Sequence, residues 1–223
     1  MSRILLGLGL LLALASSSSA GIVIDTQSLA VQTLESPLFG GAPIVIRSPG
    51  TQRFTLDLTT GQANVASSFQ GNDLPDPLNP GGFLSYDLYN TPASTTGTIV
   101  LNGSGTYDLV FTLLFELAIT SGPLTGQTFE TMQFATFAAL GVPTIPFGPG
   151  TIFTDPARPD PVVIFAKTAL PGVYSVGDPL GTSTNRTVTV LQVVPEPSTL
   201  ALGGLGVAVG LGRLARNRNR RDS

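Results

Sequence analysis

The sequence predicts an all-β fold, an antiparallel β-sandwich or jelly roll, and three observations carry that expectation. Residues 106–120 alternate strictly, with Tyr107, Leu109, Phe111, Leu113, Phe115, Leu117 and Ile119 on one face. A helix would scatter these side chains around its circumference, whereas a strand lines them up against a core. Glycine, proline, asparagine and aspartate clusters cut the chain into short segments. No stretch of residues 21–194 shows the apolar stripe of an amphipathic helix. Many short antiparallel strands in one unit belong to sandwich architectures.

The elements follow in order. Residues 22–25, 44–47, 54–58 and 83–89 are short apolar or β-branched runs and read as strands. Turn-forming residues separate them, most densely over 71–82 and 147–161. Residues 98–101 lead through Asn102-Gly103-Ser104-Gly105, which tolerates positive φ, into the long alternating strand, so the two form a hairpin. Ser121-Gly122-Pro123-Leu124-Thr125-Gly126 makes the next turn. Residues 128–137 then return with Phe129, Met132, Phe134 and Phe137 as apolar points. Their alternation slips once between Phe129 and Met132, which predicts a bulge. Residues 162–167 and 187–194 complete the strands. The chain has no internal repeat at the period of a solenoid or propeller.

Composition narrows the chemistry. Residues 21–194 carry five basic side chains (Arg47, Arg53, Arg158, Lys167, Arg186) against twelve acidic ones, a net charge of minus seven. An acidic unit with so few cations argues against nucleic acid and anionic lipid as partners. Its apolar content is too high for disorder. The chain has no Cys, His or Trp. Disulfides are therefore impossible, as are a Ser-His-Asp triad, a thiolate nucleophile and a histidine metal ligand.

The two ends read as export signals flanking a single unit. Residues 1–20 place Arg3 before an apolar run from Ile4 to Ala15, with Ser18 and Ala20 as the small residues of a cleavage site. That is the layout of a signal peptide cut between Ala20 and Gly21, the alternative being an uncleaved anchor. Residues 195–223 begin with Pro195, Glu196 and Pro197. A glycine-rich apolar run follows, then a basic cluster of Arg213, Arg216, Arg218, Arg220 and Arg221. Residues 198–215 would span roughly 27 Å as a helix, against a hydrocarbon core of about 30 Å. Five glycines weaken that helix, and Arg213 must snorkel. The arginines hold the tail inside, leaving residues 21–194 outside. The alternative is a C-terminal amphipathic helix packed on the domain, but residues 199–212 offer no polar face.

Val194-Pro195-Glu196-Pro197-Ser198, followed by a short glycine-rich membrane segment and an arginine cluster, resembles the PEP-CTERM sorting tag. The resemblance implies that the Sec machinery exports the chain. It also implies that exosortase, a membrane-embedded transpeptidase-like enzyme, acts near the Pro-Glu-Pro triplet. Bearers of the tag commonly occur in bacteria that make exopolysaccharide, biofilm or floc matrix. The resemblance covers the two ends and says nothing about the chemistry of residues 21–194.

Within that unit, Asp73, Asp76 and Asn79 make the best candidate metal loop, because several oxygen donors lie close in sequence, as calcium prefers. The spacing matches no EF-hand, and the competing reading is a turn whose Asp and Asn cap their own backbone. Asp155, Asp160 and Asp178 form a second acidic group. Glycoside hydrolysis would need two carboxylates at about 5–9.5 Å, and the sequence selects no pair. Tyr86, Tyr89, Tyr107 and Tyr174 could stack on sugar rings, although Tyr107 lies on the apolar face of its strand. The sequons at Asn102 and Asn185 read as chance occurrences. Two function classes remain. One is a non-catalytic surface or matrix protein associated with exopolysaccharide. The other is a secreted carbohydrate-binding module or glycan-active enzyme of the same matrix.

Overall fold

A computed structural model of the protein describes residues 21–131, 135–155 and 161–194. The predicted signal peptide, the sorting tag, Met132, Phe134 and Asp160 lie outside the described residues, as does the bulge expected between Phe129 and Met132.

The strands among the described residues all pair antiparallel, and no α-helix interrupts them. The strands are β1 (Ile22–Glu35), β2 (Ile44–Asp57), β3 (Gln62–Pro75), β4 (Phe83–Asn90), β5 (Thr95–Leu101), β6 (Tyr107–Leu113), β7 (Glu116–Ile119), β8 (Thr128–Thr131), β9 (Ala135–Val142), β10 (Ile152–Thr154), β11 (Val162–Ala166) and β12 (Pro179–Val194). A 3-10 turn, Pro37–Phe39, joins β1 to β2.

The two layers of the sandwich are one hydrogen-bonded sheet. The long strands β12, β1, β2 and β3 form the first layer. The second consists of four interrupted strands: β4 with β5, β6 with β7, β8 with β9, and β10 with β11. β3 pairs with both β4 and β5, and β12 pairs with both β10 and β11, so the layers join along both edges. Neighbours in space follow chain order, giving an up-and-down barrel with no open edge among the described strands.

The interruptions are built from side chains. Leu114 N–H donates to the Ser94 carbonyl, and Phe115 N–H to Thr131 Oγ1 at 3.1 Å. Asn90 Nδ2 donates to the Val65 carbonyl at 2.9 Å and to Thr95 Oγ1 at 2.8 Å. These bonds replace the missing ladder and satisfy buried polar groups. The alternation runs through the break, so Leu109, Phe111, Leu113, Phe115, Leu117 and Ile119 are all buried. Tyr107 is half-buried.

The interior divides into two halves. Near the barrel end where β12 finishes, Phe54, Phe111, Phe147 and Phe153 pack as a cluster with centroids 5.0–5.9 Å apart. In the other half, Phe39 and Tyr174 meet Phe129 edge-on, and Phe115 meets Phe137. Between them the inner face of β1–β3 is polar. Thr26 Oγ1 shares a hydrogen bond with Ser28 Oγ at 2.9 Å, and Gln52 Nε2 donates to Ser67 Oγ at 3.1 Å.

That polar face explains where sequence boundaries went astray. Residues 44–47 and 54–58 belong to one strand, β2, which runs on through Pro49 and Gly50. β3 extends through Gly71 to Pro75, inside the stretch read as turn, and the sequence did not signal its start at Gln62. β1 and β12 run well beyond residues 22–25 and 187–194. β10 lies within the 147–161 cluster.

Candidate functional site

Three places in the barrel concentrate chemistry or processing: the end where the chain enters and leaves, a groove at the strand interruption, and an interior cavity.

At the first, β1 and β12 are adjacent and antiparallel, with Asp25 opposite Val194 and Thr26 opposite Val193. Gly21 and Val194 therefore leave the barrel at the same end, on neighbouring strands. The predicted cleavage point before Gly21 and the Pro-Glu-Pro triplet after Val194 attach there side by side. Asp25 also forms a bidentate pair with Arg53, at 2.7 and 2.8 Å, and the Arg53 hydrogen bond holds its carboxyl below the usual aspartate range. Among the described residues, no helix is long and apolar enough to cross a membrane.

The groove lies beside the break between β6 and β7. Glu116 and Glu130 stand directly opposite each other across β7–β8, so the fold selects a carboxylate pair that the sequence did not. Lys167 Nζ donates to Glu116 and lies 3.6 Å from Glu130. The Tyr89 hydroxyl donates to Glu116 Oε1. Burial pushes the Glu116 carboxyl up, but Lys167 and Tyr89 more than offset it, so it titrates below an ordinary glutamate. The bond to Glu116 raises Lys167, and the same carboxylate raises Tyr89. Asn90, Thr91 and Ser94 complete the groove wall.

The predicted acidic residues take structural partners. The β3–β4 register shifts between Gly71 and Leu74, and this bulge carries Asp73. Its Oδ1 accepts from the Tyr86 hydroxyl at 2.8 Å and its Oδ2 from Arg47 N–H at 2.9 Å. Burial, together with the Asp73 carboxylate, pushes the Tyr86 phenol far up, although Ser48 Oγ at 2.9 Å opposes the shift. Gly71 is required there, because a Cβ would sit 2.2 Å from the Tyr86 ring. Asp76 Oδ1 accepts from Leu78 N–H at 2.9 Å, and the Asn79 carbonyl accepts from Gly82 N–H at 2.8 Å. These bonds are those of a self-capped turn. Among the described residues, no three or more Asp or Glu side chains gather as a metal cluster. Asp178 accepts from Ser175 N–H at 2.7 Å.

Asp155 went elsewhere. It pairs with Arg186 at 2.6 Å, and both side chains are 5% exposed or less. In the sequence Arg186 stands as one of five cations and as the middle residue of the Asn185 sequon. The signal that could have found it is a lone arginine, next to a turn-prone Asn185, inside an otherwise β-branched strand.

The comparisons with known proteins bear on fold and destination. The PEP-CTERM protein-sorting motif matches residues 193–220, beginning on the last two residues of β12. No curated protein matches the chain. Among solved structures, DynF from the dynemicin biosynthesis pathway of Micromonospora chersina is similar, at 10% identity and a TM-score of 0.53. The match covers 80% of this chain and 83% of that one, and it shows likeness of fold alone. With Val193 and Val194 inside the matched segment, the chain carries a PEP-CTERM protein-sorting motif and is an exported protein handled by exosortase.

Proposed function

We propose that the barrel is a non-catalytic component of the cell surface or extracellular matrix, associated with exopolysaccharide. The observation that carries this reading is the position of the sorting motif. It begins on the last two residues of β12, so the whole barrel is the cargo. The state of the acidic side chains supports the non-catalytic part. Glu116 is engaged by Lys167 and Tyr89, and Asp155 by Arg186. Carboxylates held this way are depressed or paired, whereas a general acid for glycoside hydrolysis needs a raised pKa.

A second reading, a sugar-binding module, is favoured by the Tyr89–Glu116–Lys167 groove, which combines an aromatic ring with hydrogen-bonding side chains. Fractionation and binding separate the two. In cells, deletion of exosortase should remove the barrel from the matrix fraction. The purified exported form should co-sediment with isolated exopolysaccharide and release no reducing ends from it. Reducing ends released by wild type and lost in Glu116→Gln would overturn the non-catalytic reading. Tight binding of a defined oligosaccharide, lost in Tyr89→Ala, would establish the module instead.

A further inference from the structure

A bulge at Asn185, which takes up extra length at φ 50°, leaves Arg186 buried beside the interior cavity. That cavity has about 30 Å3 free, room for one or two waters. A larger partner must therefore meet the barrel from outside.

The outer surface is apolar at the end where the chain enters and leaves. Ile22 faces Leu56, so β1 starts where β2 finishes, and Leu58 follows in the turn to β3. Gln62 at the start of β3 faces Thr98, which carries Val100 and Leu101 to the same end. Leu101 faces Tyr107 and Tyr107 faces Val142, so Leu140 near the close of β9 joins them. Thr154 faces Ala138, which sets Ile152 beside Leu140. Ile152 in turn faces Thr189, two residues before Leu191. Leu58, Val100, Leu101, Leu140, Ile152 and Leu191 are each 48–64% exposed. Apolar residues scattered singly need no explanation, but six gathered at one end of a barrel form a patch. The charges around it are already met. Asp57 accepts from Thr59 and Thr60 N–H, and Asp108 from Gly141 N–H. Arg53, the cation at this end among the described residues, is paired with Asp25.

The opposite end also exposes apolar side chains, namely Val45, Leu78, Phe83, Val173 and Val176. The tether distinguishes the two. Val194 leaves from the first end, and only the five residues 195–199 separate it from the apolar run that begins at Leu200. Five residues reach at most about 18 Å when fully extended. The opposite end lies a strand length further off, roughly 45 Å for the 14-residue strands β1, β2 and β3.

We propose that the rim at the Val194 end docks on the surface of a neutral, zwitterionic bilayer while the sorting tag anchors the chain. This rests on the tag's apolar run entering the membrane, and it adds the face of the barrel that meets the lipid. Affinity of such a face grows with the apolar area it buries among the headgroups. The lipid is neutral because residues 21–194 carry a net charge of minus seven, which anionic headgroups repel. Tethering makes the contact intramolecular, so a patch too weak to hold a free barrel still docks when anchored. Trimming near Pro195, Glu196 and Pro197 removes the tether and lets the barrel leave.

The chain has no cysteine, so a single introduced thiol can carry an environment-sensitive fluorophore. Val100→Cys reports from the rim and Val173→Cys from the opposite end. With the full chain reconstituted into phosphatidylcholine vesicles, the rim label should shift to the blue. Nitroxide lipids should quench it severalfold more than the label at position 173. Leu101→Asp combined with Leu140→Asp changes two exposed side chains, and thermal melting checks that the variant folds. It should return the rim label to water-like emission while the protein still floats with the vesicles. Protein that fails to float would overturn the anchoring of the tag, and the docking with it. Protein that floats with its rim label as wet as the label at position 173 would overturn the docking alone, leaving the rim for a protein partner. Equal quenching at both ends, or a rim label unmoved by the two aspartates, would overturn it as well.

Discussion

Asp25 on the first strand lies directly opposite Val194 on the last, and this pairing brings Gly21 and the start of the sorting motif to one end of the barrel. Among the described strands the sheet has no free edge. The exported protein should therefore begin at Gly21, and N-terminal sequencing checks this. A product retaining Leu5 to Leu14 would mean the first segment is an anchor. Pro195 and Pro197 lack N–H groups and disfavour helix in the residue before each. Replacing both by Ala should leave full-length protein in the membrane fraction, and normal C-terminal trimming would contradict the sorting role of the triplet. Neutralising Arg213, Arg216, Arg218, Arg220 and Arg221 should disturb orientation instead.

Packing predicts a sharp contrast along one strand. Phe111 is 1% exposed and touches Phe54 and Phe153. Phe111→Ala should cost about 3–5 kcal/mol in urea unfolding. Phe115, at 8% and bordering the cavity, should fall at the lower end of that range. Thr112 points to the other face and is half-buried, so Thr112→Ala should cost far less. Equal losses at Phe111 and Thr112 would show that both faces are covered.

A second contrast concerns glycine. A Cβ on Gly50 would lie 2.1 Å from the Ser68 carbonyl oxygen and 2.5 Å from Phe69 Cα. Both are backbone atoms that cannot swing aside, so Gly50→Ala should destabilise by about 1–3 kcal/mol or more. A Cβ on Gly103, in the turn after β5, meets nothing within 4 Å. Gly103→Ala should be close to neutral, and thermal melting of the two variants compares them directly.

Stability should also fall at alkaline pH, with a sign set by Tyr86. Burial raises its phenol above the ordinary value of 10.0, so the folded protein holds the proton longer than the unfolded chain does. The resulting stability is complete below about pH 10 and is lost as pH rises toward the folded value. Tyr89 and Tyr174 shift the same way, Tyr89 through Glu116 and Tyr174 through burial. Tyr86→Phe should lower stability at pH 7, because Asp73 and Ser48 lose their partner, yet flatten the decline above pH 10. Denaturant midpoints across pH 7–11 measure both effects, and an unchanged alkaline slope would place the titration elsewhere.

The sequence by itself determined the strand character, the turns at 102–105 and 121–126, the C-terminal sorting motif and the lack of any histidine or cysteine. Each is a local property: alternation, a φ > 0 sequence, an ordered set of short segments, a missing residue type. Alternation failed where the inner face is polar. Thr26 pairs with Ser28 and Gln52 Nε2 with Ser67 inside the barrel, so β1, β2 and β3 lack the apolar rhythm that marks β6 and β7. Only the tertiary structure decided that the sandwich closes, because closure depends on β3 and β12 each pairing with two interrupted partners far away in sequence. It also decided that Glu116 faces Glu130, and that a bulge at Asn185 brings Arg186 to Asp155, 31 positions earlier in the chain. Charge and spacing in one dimension cannot specify such meetings, since strand register sets them and register is fixed by the whole sheet.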